Sequence, residues 1–205
     1  MKFKEMKVRF TLIEEMLGTS SADPDIHRTF IASKAPDAKS LEEEVEALGV
    51  DEVEEKAITV FPRHNGQPFL WDYQIKGYFK DCCSALARVK DTESSKLTAF
   101  RKIIDGLIFP TPRRIMLNLP KGAKMGKCPR PLRAKTAQGE RVALANSETV
   151  PEGTTFDVTI KTLPLKKGEK VLDKCIKEWL DFGELKGTGQ WRNSGKGRFT
   201  WELLK

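Results

Sequence analysis

The chain has 205 residues, 39% of them hydrophobic, and a net charge of +7 from 36 Lys and Arg against 29 Asp and Glu. That length supports a core without disulfide or metal staples. No run of about 18 apolar residues marks a membrane span, and the first residues lack the apolar stretch and small-residue site of a signal peptide. Four cysteines without a CxxC spacing and two histidines argue against a zinc site or an imidazole cluster. Reduced, packed thiols in a cytoplasmic protein without a cofactor are expected.

Residues 7–17, KVRFTLIEEML, predict a strand with Val8, Phe10 and Leu12 on one face. GTSSADPD follows as a loop, with Asp23 before Pro24 biased away from helix, and a short helix is expected from Asp25 to about Ala35. SLEEEVEALG predicts a surface helix capped by Ser40, with Glu43 at the capping-box position and Gly49 at its end. AITVFPRHNGQPFLW reads as a hairpin turning at RHNG. DYQIKGYFKDCCSALARVK predicts a helix burying Ile75, Phe79, Cys82 or Cys83, Leu86 and Val89, with Lys76 and Gly77 near its start.

LTAFRKIIDGLIF predicts another helix, ending near Gly106, and RRIMLNLP a strand. A basic loop follows in which Pro120, Pro129 and Pro131, with Gly122 and Gly126, oppose regular structure. RAKTAQGERVALANSETVPEGTTFDVTIKTL has the pattern of a long β-ribbon turning at AQGE and PEG. Lys170 to about Leu180 predicts an amphipathic helix burying Val171, Leu172, Cys175, Ile176 and Trp179. A glycine-rich loop and the strand RFTWELL close the chain, with Trp201 assigned to the core. Strands alternating with helices that cover one sheet face predict an α+β, ferredoxin-like (RRM-like) fold. The expected organisation is one domain, 1–205, with an acidic helical insertion at 37–56 and a basic loop and β-hairpin insertion at 111–155.

Charge placement says more than net charge. DAKSLEEEVEALGVDEVEEK, within 37–56, is acidic, whereas Gly106 to Gly139 carries no acid and eight cations: Arg113, Arg114, Lys121, Lys124, Lys127, Arg130, Arg133 and Lys135. Such asymmetry concentrates a positive field and suits a polyanion. The terminal GTGQWRNSGKGRF adds Arg192, Lys196 and Arg198 among glycines that include Gly189, together with Trp191.

Four stretches, in order, resemble the RAMP superfamily, in particular the repeated guide-RNA backbone subunits of CRISPR effector complexes. The opening strand with LGTSS resembles the family's first strand and Gly-Ser loop. NGQPFLWDYQIKGYFKDCCSAL resembles its Gly-x-Pro-x-Ile-Pro-Gly-Ser-Ser-Leu-Lys-Gly helix start, with Lys76-Gly77 at the Lys-Gly pair and Trp71-Asp72-Tyr73-Gln74 in place of Pro-Gly-Ser-Ser. KTAQGERVALANSETVPEGTTFDVTI resembles the β-hairpin thumb with its following strand, and GTGQWRNSGKGRF the terminal glycine-rich loop.

The resemblance implies single-stranded RNA as partner, with other copies of the chain or CRISPR effector subunits beside it, and no membrane. Backbone N–H groups of the glycine loop are then expected to approach phosphates, Arg192 and Arg198 to fork onto them, Lys196 to add a point charge and Trp191 to stack a base. Lys76 would hold a phosphate at the helix start beside Gly77, and the 113–135 arm would track the strand. Two other readings stay open. One is a phage-encoded subunit mimic that joins or inhibits a CRISPR complex, motivated by the acidic segment. The other is an RNA endonuclease using Asp23 or Asp25, the only reading that calls for magnesium.

Overall fold

The computed structural model describes residues 3–22, 58–136, 139–165 and 171–205, the side chains of 58 and 131–144 excepted. The helices expected at 25–35 and 40–49, the acidic 37–56 segment, and Asp23 and Asp25 lie outside the described residues.

Strand β1 (Lys4–Leu12) alternates as expected, burying Val8, Phe10 and Leu12. It lies between β11 (Thr155–Thr162) and β12 (Phe199–Leu203), both antiparallel, and β11 pairs in turn with the edge strand β7 (Ile108–Thr111). The order β12-β1-β11-β7, with helices between β1 and β7 and between β11 and β12, is the ferredoxin-like arrangement. The fold is therefore α+β, as the strand and helix alternation required.

Helix α1 (Asp72–Leu86) buries Ile75, Tyr78, Phe79, Cys82 and Cys83, and α3 (Val171–Asp181) buries Leu172, Cys175, Ile176, Trp179 and Leu180 against the same sheet face. Phe10 stacks on Phe156 with centroids 4.6 Å apart and meets Phe199 at 4.8 Å, so β1, β11 and β12 share one aromatic cluster. The Tyr78 hydroxyl donates to the Trp179 carbonyl at 2.5 Å, tying α1 to α3. Trp201 is half-buried against this core.

Several boundaries differ from the pattern. Helix α1 stops at Leu86 rather than near Lys90. The Thr92 hydroxyl donates to the Leu86 and Val89 carbonyls, and Val89 is exposed. Helix α2 (Phe100–Leu107) passes directly into β7, whose Pro110 hid it. An edge strand tolerates a residue without N–H. The 57–71 hairpin is split: β5 (Arg63–His64) and β6 (Gln67–Trp71) pair across Asn65-Gly66, while β4 (Ile58–Val60) joins a different sheet, beside β3 (Ser20–Ser21) and β10 (Gly139–Val150).

The largest revision concerns the basic loop. β9 (Gly126–Thr136) pairs with β10 over eleven positions, Pro129 and Pro131 included. Among the described strands β9 pairs with β10 alone, so it is an edge. Two prolines at alternate positions can both turn their missing donors away from the partner. β10 reaches the body through β2 (Met16–Leu17), and β8 (Arg114–Met116) pairs with β6. Among the described residues no helix is long and apolar enough to cross a membrane.

Candidate nucleic-acid interface

The terminal loop runs from the short helix α4 (Gly183–Lys186) to β12. Its glycines serve close approach of chain to chain. At Gly187, φ is 69° and a Cβ would stand 2.5 Å from the Lys196 carbonyl oxygen; at Gly197, φ is 71° and a Cβ would overlap the Thr188 carbonyl. Gly189 packs on the next layer, its Cβ position 3.0 Å from Met16 Cγ and 3.1 Å from the Leu17 carbonyl. The N–H groups of Gly187, Gly195 and Gly197 already donate to the carbonyls of Gly183, Arg192 and Glu15.

The loop cations have carboxylate partners. Arg192 and Lys186 both reach Asp81 of α1, Lys186 at 3.1 Å; Lys196 meets Glu15 at 2.7 Å and Arg198 meets Glu14 at 3.3 Å. Burial opposes ionisation of Asp81, but hydrogen bonds and charge from Lys186 and Arg192 outweigh it and hold its carboxyl below the ordinary value. The Glu15 hydrogen bond raises Lys196 above the usual lysine value.

The loop meets the root of the β9–β10 ribbon at one residue. Arg130 Nη2 donates to Gln190 Oε1 at 2.8 Å, and its guanidinium carbon lies 5.3 Å from the Trp191 ring centroid. Arg130 is 9% exposed, and its Nη1 is buried without a hydrogen-bond partner. Trp191 sits at φ 56° and remains 42% exposed. Among the described residues its partners are a neutral amide and an indole, which leave a buried positive charge incompletely compensated. On the chain just before it, Lys121, Lys124 and Lys127 are exposed, with no ion-pair partner among the described residues. Arg133 stands further along β9, opposite Val142.

A second group gathers at the start of α1. Arg113 lies 4.8 Å from the Trp71 ring centroid and 3.7 Å from Asp72, whose carboxyl is pushed up by burial. Arg114 reaches His64 Nδ1 at 3.2 Å. Lys76 donates to the Asp105 carbonyl at 3.2 Å, burial lowers its pKa, and Gly77 faces open space. The Gln74 side chain accepts from the Trp71 N–H at 2.7 Å and donates to Thr19 Oγ1 at 2.6 Å, which fastens the LGTSS loop to the helix start. Asp81, where Arg192 docks, lies about 14 Å further along the axis at 1.5 Å per residue. The structure thus gathers Gly189, Trp191, Arg192, Lys196 and Arg198 in the terminal loop, which Arg130 meets through Gln190 and Trp191, and places Lys76, Gly77, Arg113 and Arg114 as a second group about the first half of α1.

Among solved structures, the Type III-B Cmr-beta complex bound to cognate target RNA contains a chain that matches all of this one at a TM-score of 0.54 and 14% identity. The two chains share a fold. This chain spans 60% of that neighbour's length. Cmr6 from Pyrococcus furiosus matches with a TM-score of 0.48 and 12% identity, over 98% of this chain and 99% of its own. A Type IV-B CRISPR complex matches with a TM-score of 0.45 and 12% identity, over 98% of this chain and 90% of its own. No protein-family model and no curated protein matches the sequence.

Within this fold the residues that sequence reasoning missed are the acidic partners. Asp81, Glu14 and Glu15 stand 111, 184 and 181 residues from the cations they bind, and neither periodicity nor motif spacing registers such pairs. Gln190, wedged between two singled-out residues in GTGQWRN, could have been found from its place beside Trp191.

Proposed function

We propose that this RAMP-type chain binds single-stranded RNA, in a sequence-tolerant way, as a subunit of a CRISPR-related ribonucleoprotein. The observation that carries the reading is the contact between the terminal loop and the ribbon root through Arg130, Gln190 and Trp191, with exposed Lys121, Lys124 and Lys127 at the head of the same strand. Phosphates gain most from cations that have no carboxylate to give up, and among the described residues these three lysines meet that condition. Trp191, exposed and backed by a guanidinium, offers a ring face to any base. The backbone-like role, in which copies line up along one RNA, follows the same reading and fits heterologous contacts between subunits.

The test is single-stranded RNA binding by the Lys121→Gln/Lys124→Gln/Lys127→Gln protein across a salt series. Three lost phosphate contacts, at roughly 0.7 each, should flatten the log–log salt slope by about 2. Binding unchanged in strength and slope would dispose of this surface.

A second reading is favoured by the ion pairs on Arg192, Lys196 and Arg198, which lower the loop's charge toward RNA. In it the chain joins or inhibits a CRISPR complex as a subunit mimic. Pull-down with an effector complex tests it: a chain that binds RNA alone and never a complex disposes of this second reading.

A further inference from the structure

The β7 edge of the sheet, where β11 and helix α1 adjoin it, carries an arrangement that the terminal loop does not use. Phe3 and Phe109 are 50% and 41% exposed. Phe109 is the cross-strand partner of Lys161, and Lys161 Nζ stands 5.1 Å from the Phe3 ring centroid. On the other side Lys76 Nζ stands 4.8 Å from the Phe109 centroid, and Tyr73, 45% exposed, precedes Lys76 by one turn of α1. In order across the surface these are Phe3, Lys161, Phe109 and Lys76, two exposed rings interleaved with two ammonium groups, and the half-exposed Tyr73 ring stacks beside Trp71 at the start of α1.

Three of the large apolar side chains left exposed among the described residues fall in this row, and a core has no use for them there. Glu5 of β1 and Phe109 of β7 both stand opposite Lys161 of β11, so Phe3, two residues before Glu5, lies two strand spacings across and two residues along from Phe109, roughly 12 Å away. Lysines between rings place charge where the sugar–phosphate chain must pass as it steps from one stacked base to the next. Burial lowers the Lys76 pKa, which marks an ammonium held against apolar surface rather than fully hydrated. Lys161 also meets Glu5 at 3.2 Å, a half-exposed pair that a phosphate can displace at little cost.

We propose that this row is a second single-stranded RNA site, in which unpaired bases stack on Phe3, Phe109 and Tyr73 and phosphates pass Lys161 and Lys76. It rests on the reading of RNA as the ligand and adds a surface on a different part of the molecule. Two exposed rings lost together, Phe3→Leu with Phe109→Leu, keep apolar contact and remove stacking, so the fold survives.

The experiment compares the wild-type protein, this double variant and the Lys121/Lys124/Lys127→Gln protein on oligouridylate RNA and on the same oligomer with abasic positions, with circular dichroism as the fold control. Each ring that stacks a base contributes about 5- to 150-fold in affinity. The double variant should lose at least that much on oligouridylate, little on the abasic oligomer, and keep its salt slope. Phe3→Tyr with Phe109→Tyr should restore binding. Equal loss on both oligomers, or no loss while the lysine variant weakens, overturns the row and leaves the terminal-loop reading standing. Altered capture of a protein partner with unaltered RNA affinity also overturns it. Failure of the wild-type protein to bind either oligomer overturns both.

Discussion

Substituting alanine for three glycines separates what each one does. Gly77 is an exposed residue inside α1 with nothing within 4 Å of its Cβ position. Alanine there should stabilise the protein by about 0.5–1 kcal/mol, the ordinary glycine penalty in a helix. Gly122 has φ 79° and open space around it, so alanine meets backbone strain alone. That strain is about 1–2 kcal/mol, offset in part by the about 0.4–1 kcal/mol that a less flexible unfolded chain returns. Gly197 has the same strain, and its Cβ would overlap the Thr188 carbonyl, so the Thr188 N–H bond to Gly197 O and the Gly197 N–H bond to Glu15 O, each 2.8 Å, must stretch or break. At about 1 kcal/mol per bond the loss reaches about 3 kcal/mol. With a urea m-value of about 2 kcal/mol/M, the midpoint of Gly197→Ala should fall by about 1.5 M. Equilibrium urea unfolding followed by circular dichroism reads all three. If Gly197→Ala and Gly122→Ala unfold within about 0.5 kcal/mol of each other, the terminal loop is not closed on its own backbone as described.

Neutralising Glu14→Gln with Glu15→Gln should strengthen RNA binding and steepen the salt slope by about 1.4, because Arg198 and Lys196 are released at about 0.7 per phosphate contact; an unchanged slope would show that these cations never meet RNA. Asp81 has a folded-state pKa below its ordinary 3.8, so its pairing stabilises the loop above that value and is lost as pH falls through the lower folded one. Asp81→Asn should therefore lower stability at pH 7 and lose that deficit at strongly acid pH; a deficit that persists there refutes the linkage. Burial pushes the Cys82 and Cys175 thiols up to about 12 and raises Cys83, while Cys128 is half-buried. One thiol equivalent should react quickly at pH 8 and the other three only after unfolding; two fast equivalents would contradict the packing.

The sheet and the two long helices were legible because their signal is local. Alternation in KVRFTLIEEML and the apolar spacing of KVLDKCIKEWL each demand one buried face, and β1 and α3 supply it. β7 and the first half of β9 were hidden because proline reads as a strand breaker, and only an edge position, a tertiary fact, removes that objection. The terminal glycines were read as openings for a ligand. In three dimensions they let Gly187 and Gly197 pass against their own backbone. Trp191 and Arg130 were each singled out by residue type, but their contact across 61 positions was not foreseeable. Exposed aromatics at Phe3 and Phe109 gave no signal at all, since an isolated phenylalanine in a strand pattern is read as core.

Photo-crosslinking of 4-thiouridine-labelled single-stranded RNA, with the attached peptides sequenced by mass spectrometry, addresses the interface most directly. Adducts on Trp191 and within residues 121–130 are the outcome that the contact between loop and ribbon root requires. Adducts confined to other segments, or none at saturating RNA, would contradict it.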